Sequence, residues 1–117
     1  FNGKMATLCN FVNGKREGEY KKWFQNGRLA EHRHFGNDKY NGDYKKWYYN
    51  GQISVHCHYV NGECHGEYKQ WYENSQLFVQ YHYVNGDYDG EYRQWDKTGI
   101  LACHCHYING VKVKAIT

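Results

Sequence analysis

The chain has no proline among its 117 residues and one methionine. It lacks a run of 18 apolar residues, so no segment is expected to cross a membrane as a helix. Segments that favour helix are also missing. Its five cysteines are an odd number without the spacing of a disulfide framework. We therefore expect one domain with reduced thiols, located inside a cell and not secreted.

Charge is low, whereas aromatic residues are abundant. The net charge of +3, with histidines neutral, is too small to require a polyanionic partner. Aromatic residues make up 19% of the chain, and pairs of turn-forming residues, mostly Asn-Gly, recur along its length. This composition predicts an all-β fold.

A repeat of 24 residues organises the sequence. Its columns are a tryptophan, a glycine, a tyrosine and an acidic residue followed by a basic one. The tryptophans are Trp23, Trp47, Trp71 and Trp95; the glycines are Gly18, Gly42, Gly66 and Gly90; the tyrosines are Tyr20, Tyr44, Tyr68 and Tyr92. Two turn signals, usually Asn-Gly, occur in each unit.

The period divides residues 1–117 into a partial first repeat at 1–17, full repeats at about 18–41, 42–65, 66–89 and 90–110, and a degenerate terminal strand at 111–117. Phe1-Asn2-Gly3 aligns with Tyr49-Asn50-Gly51, so the first unit lacks its opening strand. A degenerate last strand is typical of a terminal cap. We expect the sequence to be a fragment of a longer chain.

Each unit is predicted to be one β-hairpin. A two-residue type I′ turn at Asn26-Gly27 would place Phe24 opposite Leu29 and Trp23 opposite Ala30, and continue to Gly18 opposite Phe35. The second turn leaves two possibilities, because pairing could begin tightly at its Asn-Gly or two residues later. Together the units form an antiparallel single-sheet meander of about nine strands and roughly 40 Å in length.

Side-chain alternation assigns the columns to two faces. One face collects the repeated glycines and tyrosines with Phe24, Leu29 and Phe35. The other collects the acidic, lysine, tryptophan and histidine columns. Glycine opposite an aromatic ring suggests that the ring lies across the glycine backbone. Aromatic residues and glycines would then alternate across the sheet as Phe11, Gly18, Phe35, Gly42, Tyr59, Gly66, Tyr83, Gly90, Tyr107.

The unit G-[ED]-Y-K-x-W-[YF]-x-N-G-x-L, continued by H-Y-x-N-G, resembles the MORN-repeat superfamily, specifically MORN-variant repeats. Such repeats occur in bacterial YwqK-type antitoxins and in repeat proteins of giant DNA viruses. The resemblance extends from Phe1 to about Gly110, and the richness in Tyr, His and Cys is similar to that of the viral members. It implies a hairpin array that acts as a scaffold or dimerisation module.

Three chemical functions are less well supported than structural explanations. The histidines could bind zinc or copper, but one column recurs only every ~9.6 Å with a strand between, which is too far for one ion. Lysines beside tryptophans suggest single-stranded nucleic acid, but the carboxylate column cancels the charge. A repeated column rarely supplies the asymmetric groups of a catalytic site. We expect no enzyme activity, cofactor or metal.

The tryptophan and tyrosine columns are the candidate interaction residues, and the four repeated glycines are structural. Either a bulge turns each tryptophan inward, or the tryptophans line a surface that another protein covers. The predicted function is a non-enzymatic scaffold or protein-interaction module, which could also self-associate and be virion-associated. An antitoxin-like binder that neutralises a partner is the alternative, and metal or nucleic-acid binding comes after it.

Overall fold

A computed structural model describes residues 6–115 as one open antiparallel β-sheet, with side chains described to Lys112. These residues form thirteen strands: β1 Ala6–Val12, β2 Lys15–Trp23, β3 Leu29–Gly36, β4 Lys39–Tyr40, β5 Gly42–Trp47, β6 Ile53–Val60, β7 Glu63–Cys64, β8 Gly66–Trp71, β9 Leu77–Val84, β10 Asp87–Tyr88, β11 Gly90–Trp95, β12 Leu101–Ile108 and β13 Val111–Ala115. The aligned Phe1-Asn2-Gly3 and the last two residues of the cap lie outside the described residues.

The predicted all-β hairpin meander is confirmed. The main path of the sheet is β1-β2-β3-β5-β6-β8-β9-β11-β12-β13. The short strands β4, β7 and β10 pair only with β3, β6 and β9. Of the four strands beyond the expected nine, three are these short strands, each separated by an irregularity from the next long one, and the fourth is the terminal strand β13.

The first turn of each unit differs from the prediction. Gly27 N–H donates to Phe24 C=O at 3.0 Å, and Phe24 N–H donates to Arg28 C=O at 2.8 Å. Gly27 has a φ of +84°, whereas Asn26 does not have positive φ. The loop therefore contains three residues, as in a type I turn closed by a left-handed glycine, and the predicted type I′ turn at Asn26-Gly27 is wrong.

Asparagine has another role in this turn. The Asn26 side-chain oxygen accepts from Arg28 N–H at 3.0 Å, and its amide donates to the Tyr49 carbonyl of the next unit at 3.2 Å. Asn50 and Asn74 make the same two contacts. The residue joins neighbouring units through hydrogen bonds, which do not require positive φ.

The longer loop moves Trp23 opposite Leu29, so the predicted pairs Phe24–Leu29 and Trp23–Ala30 are wrong. Ala30 is an extra residue in β3 and forms a bulge there. Beyond this bulge the pairs from Lys22–Glu31 to Gly18–Phe35 are those predicted. The same bulge occurs beside every repeated tryptophan.

The second turn is the type I′ turn. Asn61 and Gly62 have φ values of +50° and +85°, and Val60 pairs directly with Glu63. A few residues further on, the register has shifted by two, so that His56 pairs with Lys69. Both starting points that the sequence leaves open therefore occur in one hairpin, separated by an irregularity at the repeated glycine.

Because of this irregularity, the predicted row of alternating glycines and aromatic residues does not run across the sheet. Gly18 does pair with Phe35, but Phe35 pairs on its other side with Tyr40 and not with Gly42. A Cβ added at Gly42 would come closest to His34, 3.4 Å away, and one at Gly66 would meet nothing within 4 Å. Among the described residues, no Phe or Tyr ring lies within 4 Å of a Cβ added at any of the four repeated glycines, so the predicted packing of such rings is not seen in this space. Their positive φ explains them: +85°, +111°, +92° and +100° at Gly18, Gly42, Gly66 and Gly90.

Gly66→Ala is expected to destabilise the fold by about 1–2 kcal/mol, because an L-residue is strained at this φ even though a methyl group has room. Denaturant unfolding of the two proteins measures the difference. Gly36 does not have positive φ, but it is a poor control position. A Cβ added there would lie 3.3 Å from Asn41, so crowding would be measured together with any conformational effect. A neutral Gly66→Ala substitution would contradict the conformational explanation.

The sheet is a thin ribbon of 48 × 34 × 13 Å. One face carries the buried side chains Phe35, Val55, Cys57, Val79 and Cys105, and nothing else in the described residues packs over it as a second layer. Neighbouring units are joined at one edge by Tyr48 and Tyr72, whose hydroxyls donate to the carbonyls of Trp71 and Trp95 at 2.6 and 2.9 Å.

Candidate functional site

Tyrosine and phenylalanine rings cover much of the face that carries the buried residues; we call it the aromatic face. Tyr20, Tyr44, Tyr68 and Tyr92 all lie on it, as the alternation predicts. They are joined by rings from two further columns, Phe35, Tyr59, Tyr83 and Tyr107, and Tyr40 and Tyr88. The rings meet mostly edge to face, an arrangement favoured by their quadrupoles.

A largely buried ion pair lies on the aromatic face in the first full unit. Arg33 Nη2 lies 2.7 Å from Glu31 Oε1, and both side chains are largely buried, at 17% and 11% exposure. The guanidinium lies 4.3 Å from the centre of the Tyr20 ring and also contacts the Tyr40 hydroxyl. Tyr44 donates to Glu31 at 3.1 Å. Burial and the Glu31 carboxylate raise the pKa of Tyr44, so this hydroxyl stays protonated.

In the second full unit, cysteines stand at the positions of Arg33 and Tyr40. Cys57 occupies the position of Arg33 and is 3% exposed, with Cys64 beside it in the position of Tyr40. Burial, and then the neighbouring Cys64, raise the pKa of the Cys57 thiol to about 12. A thiol that stays protonated at neutral pH is a poor nucleophile. The smaller side chains leave a hollow of about 310 Å³ between Tyr44, Tyr59 and Tyr68.

The third and fourth units carry a more continuous stack. Tyr81 lies parallel to Tyr68 at 4.6 Å and to Tyr92 at 5.3 Å, measured between ring centres. Tyr83 and Tyr88 contact its edges. Burial is the main cause of the raised pKa of Tyr81, with the surrounding tyrosines adding to it. This half of the aromatic face is a half-buried array of neutral phenols.

The opposite face, here called the polar face, holds a ladder of acidic, basic and histidine side chains. Lys21 lies 3.6 Å from Glu19, and His32 lies 3.5 Å from the same carboxylate. The units containing Asp43 and Glu91 repeat the histidine contact. Among the described contacts, Lys21, Lys69 and Arg93 each lie beside a carboxylate of their own unit.

The tryptophans belong to the polar-face set by alternation and sit beside the bulges. All four are half-buried. The aromatic ring pairs within residues 6–115 join only Phe and Tyr, and the cation–π contacts there involve Arg16 and Arg33 with Phe and Tyr rings, not Lys with Trp. The structure therefore brings the candidate tyrosines together but leaves the tryptophans apart from them.

Sequence reasoning missed two groups on the aromatic face. One is the column of Arg16, Tyr40, Cys64 and Tyr88, which pairs with Phe11, Phe35, Tyr59 and Tyr83. Tight pairing at the second Asn-Gly would have placed this column correctly. The other is Arg33, whose signal was its departure from the apolar residues expected at that position.

The described part of the chain offers neither a membrane-spanning helix nor a preformed metal cluster. Between residues 6 and 115, no helix has the length and apolarity needed to cross a membrane. The same residues contain no group of three or more His, Cys, Asp or Glu side chains already arranged to hold a metal ion.

A single sheet built from hairpins of one repeating design defines the class: this is a β-hairpin repeat protein. The family model for the MORN repeat variant matches the chain four times, at residues 16–37, 40–61, 65–85 and 88–109. The chain therefore belongs to the MORN repeat variant family, as the repeated motif indicates. Repeats of this type commonly form modules that interact with proteins or membranes. No curated protein matches the chain.

Proposed function

We propose that this protein is a non-enzymatic interaction module whose aromatic face binds a protein partner. The observation that supports it best is the single-layer architecture. A β-sheet with an apolar face normally buries that face against a second layer, and residues 6–115 provide none.

Burial supports the same proposal. In the described side chains, only six apolar residues are buried, namely Ala30, Phe35, Val55, Cys57, Val79 and Cys105. The tyrosines between them remain half-exposed. Tyrosine supplies a large apolar area and a hydroxyl while losing little conformational entropy, and it is enriched in protein interfaces.

The third and fourth full units are the favoured contact region. Arg33 and Glu31 already form an ion pair in the first unit, whereas Tyr81, Tyr83, Tyr88 and Tyr107 offer rings and hydroxyls. The tyrosine column named from the sequence contributes Tyr68 and Tyr92 to this region. The tryptophan column remains a candidate for a second contact surface.

A matched pair of substitutions tests which face binds. Tyr83→Arg and Gln80→Arg each add one positive charge to β9, the first on the aromatic face and the second on the polar face. Partners are captured on immobilised wild-type and variant proteins and quantified by mass spectrometry, and self-association is measured by sedimentation velocity. We expect Tyr83→Arg to reduce recovery of the partner, or the dimer fraction, at least tenfold, and Gln80→Arg to leave it within about twofold.

Circular dichroism of both variants shows whether they remain folded. As a check independent of mutation, hydrogen exchange and hydroxyl-radical footprinting of the wild-type complex should protect Tyr83, Tyr88 and Tyr107. Loss of binding only in Gln80→Arg would move the interface to the polar face. Capture by protein-free liposomes that matches capture by the protein partner would replace a protein ligand with a lipid surface.

The cellular location and the biological role of the protein are also proposals. We propose an intracellular location, in the cell or infected host or in virions, because the five thiols are free in the structure. Recovery of the chain in purified particles would support a virion role. A toxin-like reading frame beside the gene would support antitoxin-like neutralisation of a partner.

A further inference from the structure

One carboxylate of the polar face differs from the others in its surroundings. Asp43 Oδ1 lies 3.2 Å from His58 Nδ1 and 3.9 Å from His56 Nε2, so two imidazoles approach one carboxylate oxygen. His56 and His58 are two residues apart on β6 and project from the same side of it. Asp43 is directly opposite His58 on β5.

The equivalent carboxylates of the other units are paired with cations. Glu19 and Glu67 each lie 3.6 Å from a lysine, Lys21 and Lys69, and Glu91 contacts Arg93. Aspartate is one methylene shorter than glutamate, and among the described contacts Asp43 has ion pairs only with the two histidines. Asp43 therefore differs in the kind of its partners: both are imidazoles, which can bind a metal, whereas each of the other three carboxylates has a lysine or arginine beside it.

The histidines of the other units are also less suitable. In the first full unit His34 Nδ1 contacts the Asn41 carbonyl at 3.0 Å, and among the described contacts only His32 lies beside the Glu19 carboxylate. In the third, Gln80 replaces the first histidine, and its amide donates to Glu67. Among the described contacts, only the second unit places both rings against one carboxylate that no lysine or arginine contacts.

The cluster is accessible to an ion from solvent. His56, His58 and Asp43 are 41%, 48% and 66% exposed. They line a hollow of about 270 Å³ together with Glu67 and Lys69.

We propose that Asp43, His56 and His58 bind a divalent transition-metal ion, with zinc as the reference ion and water completing its coordination. Neutral imidazole and carboxylate are ordinary zinc ligands, at bond lengths of about 2.0–2.2 Å. The large distance between units, which disfavours a site shared by two units, does not apply within one unit.

The site is not assembled before the ion binds. Tetrahedral bonds of that length separate ligand atoms by roughly 3.4 Å, so the 3.2 Å contact already fits and the 3.9 Å contact must shorten. The exposed His56 ring can make this adjustment by rotating about its side-chain bonds. This agrees with the absence, in residues 6–115, of three such side chains already converging on one point.

Calorimetric titration of the full chain with zinc chloride tests the proposal, using protein without a polyhistidine tag and with a thiol-free reductant. We expect one ion per chain. His56→Gln, His58→Gln and Asp43→Asn should each weaken binding at least tenfold. The matched control is His82→Gln, which changes a histidine in the third unit and should leave the affinity unchanged.

Three results would overturn the proposal. The first is no zinc uptake up to millimolar concentration. The second is zinc binding that survives both His56→Gln and His58→Gln. The third is binding that disappears in the Cys57→Ser/Cys64→Ser variant, accompanied in the cobalt-loaded protein by the charge-transfer absorption of a metal–thiolate bond, because that would place the ion at the thiols of the aromatic face.

Discussion

Replacing Arg33 with alanine is expected to reduce the free energy of unfolding by about 3–5 kcal/mol, because it leaves Glu31 as an uncompensated charge in a largely buried position. The guanidinium also covers the Tyr20 ring, and that contact would be lost. Equilibrium denaturation followed by tryptophan fluorescence and far-UV circular dichroism measures the change. The two probes together show whether units unfold separately, as repeat proteins can.

The control comes from the third full unit of the same chain. That unit carries Val79 and Tyr81 at the positions of Glu31 and Arg33, and Tyr81 stacks between two repeated tyrosines. The double substitution Glu31→Val/Arg33→Tyr should place a ring between Tyr20 and Tyr44 in the same way and recover most of the loss. If Arg33→Ala alone cost less than 1 kcal/mol, Glu31 would have to reach water, and the buried ion pair would not stabilise the sheet.

The period and the alternation could be predicted because they recur in every unit. From Lys22–Glu31 to Gly18–Phe35 the faces and the register are as predicted although the turn was wrong. Beyond the bulge Leu29 pairs with Trp23, although the alternation had assigned these two residues to opposite faces. The three-residue loop shifts the pairing by one residue, and the bulge at Ala30 shifts it back. The third loop residue and the bulge, neither of which was predicted, therefore offset each other within one hairpin. For this reason the agreement between the predicted register and the hydrophobic pattern revealed neither of them.

Asn-Gly was ambiguous for a physical reason. Asparagine accepts positive φ more readily than most residues, as at Asn61, but its side chain can also cap a turn and bond to a neighbouring unit, as at Asn26. The dipeptide is the same in both turns. Only the position of the next unit, which the local sequence does not contain, distinguishes them.

The candidate sites were predicted less well than the fold. The repeated tyrosines were placed on the correct face, but the residues that give each unit its individual chemistry are those that break the pattern: Arg33, Cys57 and Asp43. A search for repeated columns passes over these substitutions. Cys64 and the two histidines of β6 lie on strands next to those of their partners and are identified only when the register is known, whereas Glu31 lies two residues before Arg33 on β3 itself.

Phe35→Ala is the second substitution with a large expected effect, a loss of about 3–5 kcal/mol in the free energy of unfolding. Phe35 is 1% exposed and is the largest fully buried side chain in the described residues. Tyr40 packs against it at 5.1 Å, and the Arg16 guanidinium covers it at 4.4 Å, measured to the ring centre. These neighbours are anchored to separate strands, so they cannot collapse fully into the space left by the ring.

Tyr83→Ala is the comparison, because Tyr83 occupies the same column in the third full unit but is only half-buried. It should cost clearly less than Phe35→Ala in the same denaturation experiment, and it should reduce partner binding more. Opposite effects of this kind on stability and on binding would distinguish the two ends of the aromatic face. In the first unit the arginines cover the face and stabilise the fold, whereas in the later units the tyrosines remain exposed to a partner. Equal losses of stability would mean that the later tyrosines are core residues, and would remove the main support for an interface there.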